Sequence, residues 1–153
     1  MVLRILLVLV LAMPHAAAAA TVLVFGDSLS AGYGLPREQG WVSLLERKLR
    51  DERFDYKVVN ASISGETTSG GKARIATALK THRPAVVILA LGGNDGLRGQ
   101  GLDAMRANLE AIIAACRAAK STVLLVGMRL PPNYGPVYTD RFRDVFVEIA
   151  RKQ

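Results

Sequence analysis

An uninterrupted apolar run, AVVILAL at residues 85–91, sets the tightest limit on the fold of this chain. Seven successive apolar residues cannot alternate between core and solvent, so the run is typical of a central parallel strand covered on both faces. A second run, TVLVF at residues 21–25, stops at Gly26 and predicts a buried strand that ends in a tight turn. Shorter strands are predicted at residues 56–60 and 122–126.

Four amphipathic helices alternate with these strands, at residues 40–52, 67–81, 101–119 and about 137–151. Their apolar residues recur at helical spacing, and we expect these side chains to face the sheet: Trp41, Leu44, Leu45 and Leu49; Ile75 and Leu79; Leu102, Met105, Leu109, Ile112 and Cys116; Phe142, Val145, Phe146 and Ile149. The alternation predicts an α/β fold, a flavodoxin-like doubly wound parallel sheet in three α/β/α layers with right-handed crossovers.

Length and charge indicate a single domain that does not bind nucleic acid. A chain of 153 residues predicts one domain, large enough to bury a core. The formal net charge is +7, but the basic residues are dispersed with few aromatic residues between them. This distribution favours a solvated surface over a nucleic-acid interface. The single cysteine, Cys116, excludes an internal disulfide and is expected in the core.

The first twenty residues have the pattern of a secretory signal peptide. Arg4 precedes a nine-residue apolar stretch, which is too short to span a bilayer, and Ala18, Ala19 and Ala20 supply a cleavage site. We therefore expect residues 1–20 to be removed and residues 21–153 to form the mature domain. That domain would be periplasmic or secreted, with no stable membrane anchor after cleavage. The alternative is an uncleaved N-terminal anchor.

Three glycine-bearing loops follow the first three predicted strands. They contain Gly26-Asp27-Ser28, the segment around Gly65, and Gly92-Gly93-Asn94. In the strand order 2-1-3-4-5 these strands are neighbours, and ligands bind at the carboxyl edge of such sheets. We therefore expect the three loops to converge on one patch.

That patch would hold the parts that acyl transfer needs. Ser28 is the candidate nucleophile. The backbone N–H groups of Gly65 and of Ser28 itself and the side-chain amide of Asn94 are candidate donors to an oxyanion. Each residue also has a plain structural interpretation. Asp27 and Ser28 are good helix N-caps, Gly65 suits a turn, and Asn94 suits an Asx-turn.

Together these loops resemble the SGNH (GDSL-type) hydrolases, specifically the bacterial thioesterase I, lysophospholipase and arylesterase branch. The resemblance rests on GDSLSAGYGL at 26–35, GGNDGLRG at 92–99 and MRLPPNYG at 128–135, and covers essentially all of residues 21–153. It implies Ser28 as nucleophile and Gly65 and Asn94 as oxyanion donors. It also implies hydrolysis of a small-molecule ester or thioester, such as an aryl ester or a lysophospholipid, with no metal or cofactor.

One block of that family has no counterpart in the sequence as given. A D-x-x-H block follows the fifth strand of the family and supplies the general base, whereas this sequence ends at Gln153 in the preceding helix. We therefore expect a C-terminally incomplete sheet of about four strands, with residues 122–126 as an exposed apolar edge. His82 lies in the loop before the third strand, far from Ser28, so activity of the chain as written is doubtful because serine lacks a base.

Two other interpretations remain open at this point. The chain could be an inactive fragment or pseudoenzyme that binds acyl ligands, or a noncatalytic flavodoxin-like binding module. Arg98 belongs either to the mouth of the pocket or to the surface. The P-loop pattern is not met, because Glu66 and Ala73 occupy its first glycine and its final Ser/Thr position.

Overall fold

The structure, a computed structural model, describes residues 19–152. Within these residues four parallel strands form one sheet in the order β2-β1-β3-β4: β1 (Ala20–Gly26), β2 (Tyr56–Asn60), β3 (Val86–Ala90) and β4 (Thr122–Leu125). In the centre of the sheet, Val24 of β1 pairs with Asn60 on one side and Ile88 on the other. The predicted α/β class, strand positions and strand order are confirmed.

In the same part of the chain, six α-helices flank the sheet: α1 (Ser28–Ala31), α2 (Trp41–Asp51), α3 (Thr68–His82), α4 (Gly93–Leu97), α5 (Leu102–Ala118) and α6 (Pro136–Lys152). Two short 3₁₀ turns lie at Arg37–Gln39 and Pro132–Tyr134. The four long helices begin and end within one residue of their predicted bounds. The short helices α1 and α4 do not follow from hydrophobic periodicity, because four or five residues are too few to show it.

The main core lies between one face of the sheet and helices α3, α5 and α6. Leu23 and Phe25 of β1 and Leu89 of β3 are inaccessible to solvent there. All the apolar residues predicted to face the sheet from these three helices are buried, Cys116 included. Burial raises the pKa of the Cys116 thiol to about 11, as expected for an unreactive core cysteine.

Helix α2 covers the opposite face, and here the predicted inward residues are partly wrong. Val42 is the buried residue of the helix, packed near Val24, and Leu45 is half-buried against the same cluster. Trp41 and Leu44 are instead 37% and 46% exposed. Successive helical residues are turned by about 100°, so seating α2 on Val42 rotates Trp41 away from the sheet.

Strand β4 is an edge in the described part of the chain, where it pairs only with β3. Leu124 in its centre is 56% exposed, so the predicted apolar edge is confirmed. His82 is the last residue of α3 and not a loop residue as predicted, because the helix continues one residue further towards β3.

The N-terminal predictions lie almost entirely outside the structure. Residues 1–18 of the predicted signal peptide are outside the described residues. Over residues 19–152, none of the helices has the length and apolar character required to cross a membrane.

Candidate active site

Ser28 is the first residue of helix α1, directly after the end of β1. Asp27 is the N-cap of this helix and its Oδ1 accepts a hydrogen bond from Leu29 N at 3.0 Å. The capping interpretation is therefore correct for Asp27, while the half-buried Ser28 has no capping role. Gly26 allows the turn, because a Cβ there would lie 2.6 Å from Ser30 Oγ and 2.9 Å from Ala90 O.

The loop after β2 carries Gly65 beside this turn. Ile63 N donates to Gly26 O at 3.0 Å, which joins the two loops directly. Gly65 is exposed and has φ +78°. This left-handed conformation costs free energy for residues other than glycine. Arg98 Nη2 donates to the Gly65 carbonyl at 3.1 Å, which places the Arg98 guanidinium at the mouth of the site.

The loop after β3 brings Asn94 between the other two. Its Nδ2 donates to Glu66 O at 2.9 Å and to Asp27 Oδ2 at a longer 3.4 Å. These partners are the chain neighbours of Gly65 and Ser28. The amide of Asn94 therefore bridges the loops and does not make the local Asx-turn that was the alternative. The three sequence-predicted site residues are brought together.

A buried carboxylate lies directly beneath the site. Asp27 is 2% exposed, and burial raises the pKa of its carboxyl above the ordinary value. The hydrogen bond from Leu29 N opposes this rise, and the negative charge of Asp95 adds to it. A carboxyl in this position accepts from Asn94 and thereby fixes which way the amide protons point.

Sequence reasoning did not identify the residues that hold these loops in place. Asp95, 2% exposed, accepts from both the backbone N and the hydroxyl of Thr68. Glu66 forms an ion pair with Arg74, whose Nε lies 2.6 Å from Glu66 Oε2. The GGND sequence could have drawn attention to Asp95. No local signal in the sequence indicates the pair of Glu66 and Arg74, because the two residues lie eight positions apart, on either side of the start of α3.

The MRLPPNYG loop supports α4 from the other side. Tyr134 OH donates to Leu97 O at 3.1 Å, and Tyr138 OH donates to Gly96 O at 3.2 Å. Gly96 must be a glycine here, because a Cβ would lie 2.6 Å from a ring carbon of Phe142. The carboxyl end of the helix that carries Asn94 is therefore held by this loop and by the start of α6.

Exposed apolar side chains occur on all three site loops. Leu29 is 69% exposed, Ile63 is 51% exposed and Leu97 is 46% exposed. Large apolar side chains that stay in solvent around a polar site are typical of a surface that receives an apolar ligand. The loops thus combine hydrogen-bond donors with apolar area.

The described residues supply no base to Ser28. Within residues 19–152, its hydroxyl has no hydrogen-bond partner, and the single histidine there is His82. His82 lies beyond the amino end of β3, about 20 Å from the carboxyl edge at the rise of a strand. The same part of the chain contains no group of three His, Cys, Asp or Glu side chains that could hold a metal ion.

Comparisons with known proteins bear on the family and the fold of the chain. Residues 24–153 match the GDSL-like lipase/acylhydrolase family. The chain is 50% identical to esterase TesA of Pseudomonas aeruginosa, 44% identical to an arylesterase of Vibrio mimicus, and 43% identical to thioesterase 1/protease 1/lysophospholipase L1 of Escherichia coli K12. The matches cover 90%, 86% and 95% of this chain and 68%, 66% and 69% of those proteins. The chain therefore spans about two thirds of the length of each relative.

Solved structures show the same fold. A psychrotrophic esterase EstA from Pseudoalteromonas sp., in a structure inhibited by monoethylphosphonate, superposes with a TM-score of 0.82 at 43% identity. The match covers 86% of this chain and 72% of that one. At this similarity the α/β fold described above is shared with a solved esterase.

Proposed function

This chain belongs to the GDSL-like lipase/acylhydrolase family, and on that premise we propose that it cleaves carboxylic esters and acyl thioesters through an acyl-Ser28 intermediate. The observation that carries the proposal is the position of Asn94, whose amide joins the neighbour of Ser28 to the neighbour of Gly65. A carbonyl oxygen placed between these loops would meet donors from two of them.

In the first half of the reaction Ser28 Oγ attacks the carbonyl carbon. The carbonyl π electrons move to oxygen, and the resulting oxyanion accepts from Gly65 N–H and from the Asn94 amide. The amide proton used is the one that now makes the long 3.4 Å contact with Asp27. Collapse of the intermediate expels the alcohol or thiol, which takes up the proton that Ser28 loses to solvent.

In the second half, water attacks the acyl-Ser28 ester and releases the carboxylic acid. No imidazole of residues 19–152 faces Ser28, so within this stretch only the oxyanion donors assist the two halves. A serine without a base is a weak nucleophile, so a polypeptide limited to residues 21–153 should turn over slowly. In serine proteases that lack a triad member, the oxyanion hole and binding still give about 10³–10⁴-fold acceleration over water.

The substrate class follows from the exposed apolar residues on the loops. Leu29, Ile63 and Leu97 offer area to an acyl chain or an aryl group. The names of the relatives, esterase, arylesterase and thioesterase 1/lysophospholipase L1, favour aryl esters, acyl thioesters and lysophospholipids as substrates.

Release of p-nitrophenol from p-nitrophenyl butyrate tests the proposal against a noncatalytic acyl-binding role. Wild-type protein should release product faster than buffer, and Ser28→Ala should abolish the difference. Asn94→Ala should reduce the rate by about 10²–10³-fold, the usual effect of losing one oxyanion donor. Binding of butyrate without any Ser28-dependent release would favour the noncatalytic alternative.

We also propose that the protein is exported. Support comes from the sequence alone: Arg4, the apolar stretch after it and the cleavage pattern at Ala18–Ala20. Expression in a Gram-negative host should give a periplasmic or secreted protein whose N-terminus lies at or near Thr21. A protein that retains Met1 would contradict cleavage.

A further inference from the structure

A half-buried arginine behind the Gly65 loop has contacts that the proposed reaction does not yet use. Arg74 lies in the second turn of α3 with its side chain 23% exposed, and its partner Glu66 is 12% exposed. The guanidinium carbon sits 3.9 Å from the centre of the Phe25 ring, just before the nucleophile turn. Few charged pairs in the described chain are so far removed from solvent.

One guanidinium holds both ends of the loop. Arg74 Nε donates to Glu66 Oε2 at 2.6 Å, and Arg74 Nη1 donates to Ala61 O at 2.8 Å. Ala61 is where the chain leaves β2, and Glu66 directly follows Gly65. The planar fork of arginine fixes two such acceptors at a set spacing, which the single ammonium of lysine cannot do.

Glu66 also sets the position of the second donor. Its carbonyl accepts from Asn94 Nδ2 at 2.9 Å, so Glu66 links the Gly65 peptide to the Asn94 amide. Glycine at φ +78° has no side chain to fix its conformation, and the loop around it is solvent-exposed. The spacing between the two donors therefore depends on what anchors Glu66.

Stability alone is a poor explanation for this arrangement. Arg74 Nη2 is buried without a hydrogen-bond partner, and an unpaired buried donor lowers stability. Partly buried ion pairs are weak evidence for stabilisation, because desolvation offsets their attraction. A role in fixing geometry agrees better with a guanidinium that leaves one nitrogen unpaired.

We propose that Arg74 is a positioning residue that holds Gly65 N–H and the Asn94 amide at the spacing an oxyanion requires. It touches no substrate and acts through Glu66 and Ala61. The inference rests on the proposed acyl-Ser28 chemistry and deepens it. These two hydrogen bonds of Arg74, to Glu66 and to Ala61, form a clamp on the Gly65 loop. Loss of the clamp should weaken stabilisation of the oxyanion in the transition state more than it weakens binding of the uncharged ester.

The test is single-turnover acylation of Ser28 by p-nitrophenyl butyrate, which separates the acylation rate constant from the apparent dissociation constant. For Arg74→Lys we expect the rate constant to fall about 10- to 100-fold, as for a misplacement of about 1 Å. The dissociation constant should change less than twofold. Arg74→Met should react more slowly than Arg74→Lys.

Arg106→Lys is the matched control. Arg106 is also 23% exposed and pairs with Glu148 between α5 and α6, away from the site loops. It should show wild-type acylation kinetics. If Arg106→Lys slows acylation as much as Arg74→Lys does, the effect is a general loss of structure and the proposal is overturned.

Other outcomes separate this inference from the proposed function. A Ser28 adduct that forms in Arg74→Lys with the wild-type rate constant overturns the role of Arg74 alone. Absence of a Ser28 adduct in the wild type overturns both. If neither Arg74 variant folds, Glu66→Gln retains the carbonyl that Asn94 uses and weakens only the clamp. It should slow acylation at least threefold, and an unchanged rate constant contradicts the proposal.

Discussion

Asp95 and Thr68 are joined by two hydrogen bonds across 27 residues of sequence. Thr68 N donates to Asp95 Oδ2 at 2.9 Å, and Thr68 Oγ1 donates to Asp95 Oδ1 at 2.5 Å. Both residues are almost fully buried. The pair ties the start of α3, which follows the Gly65 loop, to α4, which carries Asn94.

Removal of the two hydrogen bonds between Asp95 and Thr68 should destabilise the protein. Asp95→Ala leaves the buried N–H and hydroxyl of Thr68 without this acceptor, which should lower the free energy of unfolding by about 2–4 kcal/mol. Urea unfolding with an unchanged m value measures this loss. Asp103→Ala, an exposed acid at the start of α5, should lower it by less than about 1 kcal/mol. Equal losses would mean that the Thr68 contacts are energetically unimportant.

Asp27→Asn should trade stability against reactivity. Burial raises the pKa of Asp27 in the folded state, so folding disfavours its charged form. Protonated Asp27 therefore favours the folded state, and this contribution to stability is fully present below the unfolded pKa. It is lost as pH rises through the folded pKa. Asparagine still caps α1 but carries no charge.

The melting temperature of Asp27→Asn should thus exceed that of wild type at pH 7, with the advantage shrinking as pH falls through the raised folded pKa and vanishing below the unfolded pKa of about 3.9. Ser28 acylation should slow, because the side-chain amide of the substituted residue is a weaker acceptor than a carboxylate. The Asn94 amide would then be less firmly oriented. A variant that is less stable at pH 7 than at pH 3, relative to wild type, would contradict the direction of the pKa shift.

In a polypeptide limited to residues 21–153, the rate of Ser28 acylation should rise with pH without a histidine inflection. No imidazole of residues 19–152 faces Ser28, so the reactive form is the alkoxide, whose fraction grows about tenfold per pH unit. A plot of log rate against pH between 6 and 9 should be close to linear with a slope near one. A plateau above an apparent pKa of about 6.5 would indicate a histidine base. His82→Gln should leave the profile unchanged.

Gly65→Ala should separate backbone strain from catalysis. Alanine at φ +78° costs about 1–2 kcal/mol, and Gly34→Ala at φ +77° meets the same penalty in open space. Both variants should lose similar stability in thermal melts, while only Gly65→Ala slows acylation of Ser28. Equal rates in the two variants would contradict the prediction that strain at residue 65 moves its N–H away from the oxyanion.

Leu124→Lys should reduce self-association of the chain. Leu124 is 56% exposed on β4, whose outer edge has no partner strand within residues 19–152, and charged side chains protect such edges. Light scattering at increasing protein concentration should show a larger monomer fraction with nearly unchanged stability. Leu125→Lys, in a half-buried position packed against the core, should instead unfold the protein. More aggregation in Leu124→Lys would contradict this account of the edge.

The sequence was sufficient for the fold because its signals are local. The apolar run of β3 and the three-residue spacing of Leu109 and Ile112, close to one helical turn, report burial directly. The rotation of α2 was missed because Trp41 and Val42 are both apolar, and only packing decides which one turns inward. The clustering of Ser28, Gly65 and Asn94 followed from parallel topology. The Glu66–Arg74 and Thr68–Asp95 links could not be predicted, since they join residues that become neighbours only after the loops fold.

The most direct measurement is peptide-level mass spectrometry of the protein after incubation with an alkyl fluorophosphonate, a reagent related to the inhibitor in the EstA structure. We predict one phosphonyl group, on the peptide that contains Ser28, with no adduct in Ser28→Ala and at least 10²-fold slower labelling in Asn94→Ala. Label spread over surface serines at equal rates, or unchanged labelling of Ser28→Ala, would contradict the assignment of Ser28 as the nucleophile.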